Sequence, residues 1–388
     1  MNAAIILFLL ALGNALAERV RVFKLLNIPG SFVGGIVGCV AFFLAHRAGV
    51  TPPQISEQLR DVLLVLFFVS AGLGSTVSSW FAAGRPLLVL SVLCLALMVF
   101  QNVLGILLAK LLGVPAAYGV LTGSVAFVGG LGSAVAWGAE FGAKGVARAT
   151  EIAILAATAG MVVGTFVGGP YVSWVIRHAK LKVPRAGTSG EEHASKPPVP
   201  FVEKHLVIVL LLFAVSVVCG DVLGSWLRSL GLTTPRFLTA MLVGVAISGL
   251  ADLGGREIHR GLVDRCGEVC LSLFIVMALC AIDLATLAKV AGPLALLATA
   301  QTLATLLYAH FIVFRRMGGD FEAATTAGGV IGFGLSSFAV AMATVKQVER
   351  NYGPAPKSFL LTTIVGGAVS NVANALIIWG FFQVLVER

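Results

Sequence analysis

The chain has 388 residues, of which 58% are hydrophobic and 12% charged, with a mean hydropathy of +0.98. That charge fraction is about half that of a soluble globular domain, and about 225 apolar residues, at roughly 20 per crossing, supply about ten bilayer spans. A soluble enzyme, a secreted domain and a disordered regulator are excluded. The composition reads as an all-α integral membrane protein with little chain outside the bilayer.

The first apolar run, at about 3–17, ends in an Ala-x-Ala-like sequence before Glu18 and imitates a secretory signal. No basic residues precede its core, so it is read as a true first span. Further runs follow at about 31–45, 59–73, 86–112 and 150–176. Between the fourth and fifth lies a glycine-rich apolar segment, about 116–138, too interrupted for an ordinary span. Residues 177–204, rich in Pro, Gly, Ser and charges, read as a flexible cytoplasmic linker. Apolar runs resume at about 205–227, 236–251, 266–282, 290–314 and 357–386, with a second glycine-rich segment at about 322–345.

The two halves, 1–176 and 205–388, resemble each other. An offset of 206 lays Asp61–Leu73 over Gly267–Leu279, Pro29 over Pro235 and Gly38 over Gly244. An offset of 204 lays Gly130, Leu131 and Ser133 over Gly334, Leu335 and Ser337. Five spans per half is an odd number, so the second half is expected upside down, the inverted repeat of many secondary transporters. The basic residues support this parity. With the N-terminus outside, 18 of the 27 Lys and Arg fall on the inner side, as the positive-inside rule requires. Both termini are then outside, and the net charge of +9 reflects topology and not nucleic-acid binding.

No Walker A, His-Glu-x-x-His, Gly-x-Ser-x-Gly or Cys-x-x-Cys pattern is present, so neither an enzyme nor a bound metal cofactor is indicated. The six cysteines read as core packing. The positive signal lies in the glycine-rich segments, LTGSVAFVGGLGSAVAW (121–137) and AGGVIGFGLSSFAVAM (327–342). Non-helical backbone at membrane depth must be buried or line a cavity. Hairpins breaking there would present helix N-termini to an anion and carbonyls and hydroxyls to sodium. The substrate candidates are Ser124, Gly129, Gly130, Gly132, Ser133, Gly332, Gly334, Ser336 and Ser337. Polar side chains inside spans are the ion candidates: Asn102, Gln301, Ser370, Asn371 and Asn374, with Gln101 also mid-run. For each, the competing role is interhelical hydrogen bonding.

NIPGSFVGGIVG (27–38), TGSVAFVGGLGSAVAW (122–137), ATEIAILAATAGMVVGTFVGGP (149–170), GFGL (332–335) and VSNVANAL (369–376) resemble the bacterial sodium/glutamate symporter family, collinearly over almost the whole chain. The resemblance implies ten spans in two inverted halves, two re-entrant hairpins, a homodimer in the bacterial inner membrane, and sodium as coupling ion. It also implies uptake of glutamate or a related small organic anion, with the hairpins moving against a fixed scaffold. The alternative is a sodium-independent channel or exchanger of the same fold for a less polar solute. Polar positions of the family's hairpins are here Ala126, Leu131, Val330 and Ile331, and a tenth-span Asp is Asn371. This lining favours a less polar or singly charged anion.

Overall fold

The computed structural model describes residues 3–21, 23, 29–49, 56–75, 84–183, 203–230, 232, 234–255, 258–280 and 291–386. Most of the expected linker, beyond Val183, lies outside them. The described residues are helical and contain no strand. In chain order the helices are α1 (Ala3–Arg19), α2 (Gly30–Arg47), α3 (Glu57–Gly74), α4 (Gly84–Leu111), α5 (Ala116–Val120), α6 (Gly130–Ala143) and α7 (Ala149–His178). The second half follows with α8 (Glu203–Ser229), α9 (Arg236–Leu253), α10 (Arg260–Cys280), α11 (Ala291–Tyr308), α12 (Phe321–Leu335), α13 (Phe338–Tyr352), α14 (Pro356–Thr362) and α15 (Ser370–Val386). Wider π-type turns continue three of them, at Leu121–Val125, Ala309–Phe314 and Thr363–Val369.

Each apolar run read from the sequence is helical over its described residues. Among those residues, six helices are long and apolar enough to cross a membrane, including Gly84–Leu111, Ala149–His178 and Pro356–Leu385. Their outer faces are apolar. Val207, Leu211, Val218 and Val222 of α8 are each 60% exposed or more, the inverse of a soluble helix and suited to lipid tails. Cys39, Cys94 and Cys280 are buried as core packing requires, whereas Cys219 is exposed; no disulfide forms among the six.

The helices sort into two groups by packing. In the first, α1 lies on α2, α8 on α9, α2 on α10 and α3 on both α9 and α10. Small residues set these approaches: Gly35 and Gly38 of α2 seat Leu279 and Cys280 of α10, and Gly72 of α3 seats Met241 of α9. A bidentate pair, Arg236 to Asp221 at 2.7 Å for both bonds, ties α9 to α8. The second group holds α4 to α7 and α11 to α15, with α7 packed on both α6 and α12. Near the hairpin tips the groups touch through apolar partners. Gly132 of α6 faces Phe67 and Leu271, and the Trp137 ring meets Phe237 edge-on at 5.3 Å between centroids.

Candidate functional site: two broken helices and the amides behind them

The first glycine-rich segment folds back on itself. After α5 the chain leaves helical geometry at Gly123 (φ −94°, ψ −131°) and turns at Val128–Gly129, and α6 starts at Gly130 with φ +62°. That left-handed conformation strains any residue with a Cβ. A straight helix over Ala116–Ala143 would hold its ends about 40 Å apart. Here the Tyr118 hydroxyl instead donates to the Ala147 carbonyl at 3.0 Å, so both ends emerge together. The arms are splayed, each packing on a neighbour: Gly119 sits directly on Gly105 of α4, and Gly138 on Thr150 of α7.

The second segment is a closed antiparallel pair. Gly332 of α12 lies on Ala341 of α13, Gly328 meets Thr344, and Gly329 meets Val345. At its root Asp320 caps α12 by accepting from Ala323 N–H at 2.7 Å. The Glu322 carboxylate accepts from Ser358 N–H at 2.8 Å. Both segments run further than the sequence pattern indicated, to Ala143 and Tyr352. Glu140, Lys346 and Glu349 mark the root ends of the second arms and do not end the helices.

The two tips meet. A Cβ built on Gly130 would stand 2.9 Å from the Ser336 carbonyl and 3.8 Å from Ser337 Cβ. Helices α6 and α13 both begin here, and neither cap residue, Gly129 or Ser337, supplies a side-chain bond to the first turn. Two helix N-termini with free amides therefore converge, each carrying about half a positive charge.

Behind the tips lies a buried polar network. Asn102 holds the first tip from both ends: its Nδ2 donates to Ser124 Oγ and its Oδ1 accepts from Ser124 N–H, each at 2.9 Å. The break at Gly123 takes that N–H off the helical ladder, and the asparagine replaces the lost partner. Asn374 Nδ2 donates to the Ser124 carbonyl at 3.0 Å. Gln101 Nε2 reaches the second tip, donating to the Gly334 carbonyl at 2.8 Å and to Thr305 Oγ1 at 2.9 Å. Gln301 Nε2 donates to the Gln101 carbonyl at 2.6 Å. Each amide nitrogen in this set has a partner, whereas the amide oxygens Gln101 Oε1, Gln301 Oε1 and Asn374 Oδ1 and the Ser370 hydroxyl are buried with no partner among the described residues. An unsatisfied buried acceptor costs about 1–3 kcal/mol. The amide oxygens of Gln101, Gln301 and Asn374 and the Ser370 hydroxyl are of the chemical kind that suits a hard cation.

The candidates separate accordingly. Ser124, Gly129, Gly130, Gly334, Ser336 and Ser337 lie at or behind the meeting tips, and Ser133 is buried one turn into α6. Gly132 instead faces Phe67 and Leu271, and Gly332 is enclosed between the arms of its own hairpin. Of the ion candidates, Gln301, Ser370 and Asn374 carry an unpartnered oxygen. Asn102 has both ends engaged by Ser124. Asn371 is exposed and donates to the Gly367 carbonyl at 2.7 Å, away from the set. Gln101, one residue before Asn102, takes the place expected for its neighbour.

The profile of the sodium/glutamate symporters matches residues 1–354. The sodium/glutamate symporter of Escherichia coli strain K12 is 32% identical over 95% of this chain and 93% of its own. That of Haemophilus influenzae is 30% identical over 97% and 95%. A solved sodium proton antiporter from Methanocaldococcus jannaschii overlaps 99% of this chain and 97% of its own at 14% identity, with a TM-score of 0.41. The relatives are named as symporters and not as enzymes. This multi-pass membrane chain therefore belongs to the sodium/glutamate symporter family.

Proposed function

We propose that the chain takes up glutamate, or a closely related small carboxylate, together with sodium across the bacterial inner membrane. The reading rests on one observation: two helix N-termini without side-chain caps meet at the hairpin tips, whose Gly334 and Ser124 carbonyls are held by the buried amides of Gln101 and Asn374, each with an unpartnered oxygen. The amide donors suit a carboxylate, and the oxygens suit sodium. Gln101 joins the two, since its Oε1 is free for the ion while its Nε2 grips the Gly334 carbonyl. A cation on the oxygen polarises the amide and strengthens that grip, so an occupied ion site holds the second tip closed.

Transport follows by an elevator-like shift of the group carrying the hairpins against the group of α1 to α3 and α8 to α10. The chain crosses the bilayer ten times in two inverted halves, with both termini outside and both hairpins re-entrant. The paired contacts support this symmetry. Gly35 and Gly38 of α2 pack on Leu279 and Cys280 of α10, while Met241 and Gly244 of α9, each 206 residues later, pack on Gly72 and Leu73 of α3, one residue before the exact counterparts of Leu279 and Cys280. The same operation thus exchanges one helix contact for the other.

Uptake into proteoliposomes under an imposed inward sodium gradient tests the reading. Glutamate is expected to accumulate above equilibrium and to stop when the gradient is dissipated. Accumulation indifferent to sodium overturns the coupling and leaves a sodium-independent exchanger or channel of the same fold.

A further inference from the structure

A cavity of about 170 Å³ lies between the two helix groups, more than a turn along α6 from the hairpin tips. It exceeds the roughly 150 Å³ of an apolar cavity that holds benzene. Its floor is buried and apolar, made by Leu64 of α3, Val135 of α6, and Phe274 and Ala278 of α10. Its mouth is charged, with Arg60 and Asp61 of α3 on one side and Thr150 and Glu151 of α7 on the other. Arg60 and Asp61 stand 3.7 Å apart, and among the described residues Glu151 has no ion-pair partner within 4.0 Å.

We propose that this cavity is a second binding site, for the zwitterion of an amino acid with an apolar side chain. The ammonium group sits between the carboxylates of Asp61 and Glu151, the α-carboxylate lies against the Arg60 guanidinium, and the side chain fills the floor. An acidic amino acid is rejected, because its second carboxylate would be buried on apolar walls without a partner. A ligand lacking the charged head leaves the mouth unmatched. Both helix groups supply walls, so an occupied cavity fixes their relative position and slows uptake. That consequence rests on the transport reading, whereas binding does not.

The test uses the purified full-length protein with leucine as probe, read by thermal unfolding and by proteoliposome uptake. Saturating leucine is expected to raise the Tm by about 2 °C or more. The shift is expected to vanish in Glu151→Gln, which removes the charge at the mouth, and in Ala278→Phe, which fills the floor. No shift in the wild-type protein, or an undiminished shift in Glu151→Gln, overturns the site. In uptake, leucine is expected to lower Vmax and leave KM unchanged; a rise in KM alone places leucine at the hairpin tips and overturns the separate site. Leucine binding by a chain that takes up no solute sustains the site and overturns the transport reading.

Discussion

The two hairpins arise from similar glycine-rich sequences but are held together differently. In the second, the arms close on each other, with Gly332 on Ala341 and Gly328 on Thr344. In the first, the arms part, and each leans on a different helix, Gly119 on Gly105 of α4 and Gly138 on Thr150 of α7. The second hairpin thus adds the packing of its own arms to its contacts with surrounding helices, such as Gly168 of α7 on Thr344, and its tip carbonyl at Gly334 accepts from Gln101. The first depends on surrounding helices, and its tip on two asparagines, Asn102 and Asn374. Glycine content marks where a chain can fold back, but the partners of the arms decide which tip is free to move.

That difference can be broken most severely at the arms. Gly119→Val would drive a Cβ into the Gly105 carbonyl, and overpacking of this kind costs about 3 kcal/mol. The expected outcome is loss of folded protein, read as yield and Tm in detergent. Asn102→Leu removes both partners of Ser124 from a buried position and is expected to cost about 2 kcal/mol. Uptake falls with it, and limited proteolysis should open the first hairpin while the second stays protected. Cleavage in both alike would contradict the separate support described above.

Gln101→Leu tests the second tip and the ion at once. The half-saturating sodium concentration is expected to rise about tenfold, equivalent to about 1.4 kcal/mol. Gly130→Ala places a Cβ at φ +62°, and a loss of about 1 kcal/mol is expected in thermal unfolding. The smallest effect belongs to Asn371→Ala. Exposed and bonded only within its own helix turn, it should change stability by about 0.5 kcal/mol or less and leave sodium activation unaltered.

Much of this arrangement was legible in the sequence. The paired glycine clusters located both breaks, and the expectation that the two loops meet agrees with the approach of Gly130 to Ser336 and Ser337. The buried polar network was legible only in outline. Neighbours on a helix point about 100° apart, and only tertiary packing decides that Asn102 faces Ser124 while Gln101 faces Gly334 and Thr305. At 370–374 the difficulty is one of phase. The wide turn at Thr363–Val369 rotates the helix that follows, burying Ser370 with Asn374 and turning Asn371 outward. A local change of helical pitch has no reliable signature in composition or periodicity. The overlong hairpin arms have a simpler cause, since charged residues near a hairpin root resemble a helix end when read without its surroundings.

The boundary where Gly132 meets Phe67 and Leu271, and Trp137 meets Phe237, has a mechanical consequence. Dispersion between rings and methyl groups depends on area and distance and has little directional preference. Displacing one surface along the other exchanges each such neighbour for a similar one, whereas a seam of hydrogen bonds would have to be torn and remade at every step. Under the proposed shift the joint would act as a greased bearing, resisting separation strongly and translation weakly. Replacing Gly132 with a bulkier residue would put a ratchet tooth into it.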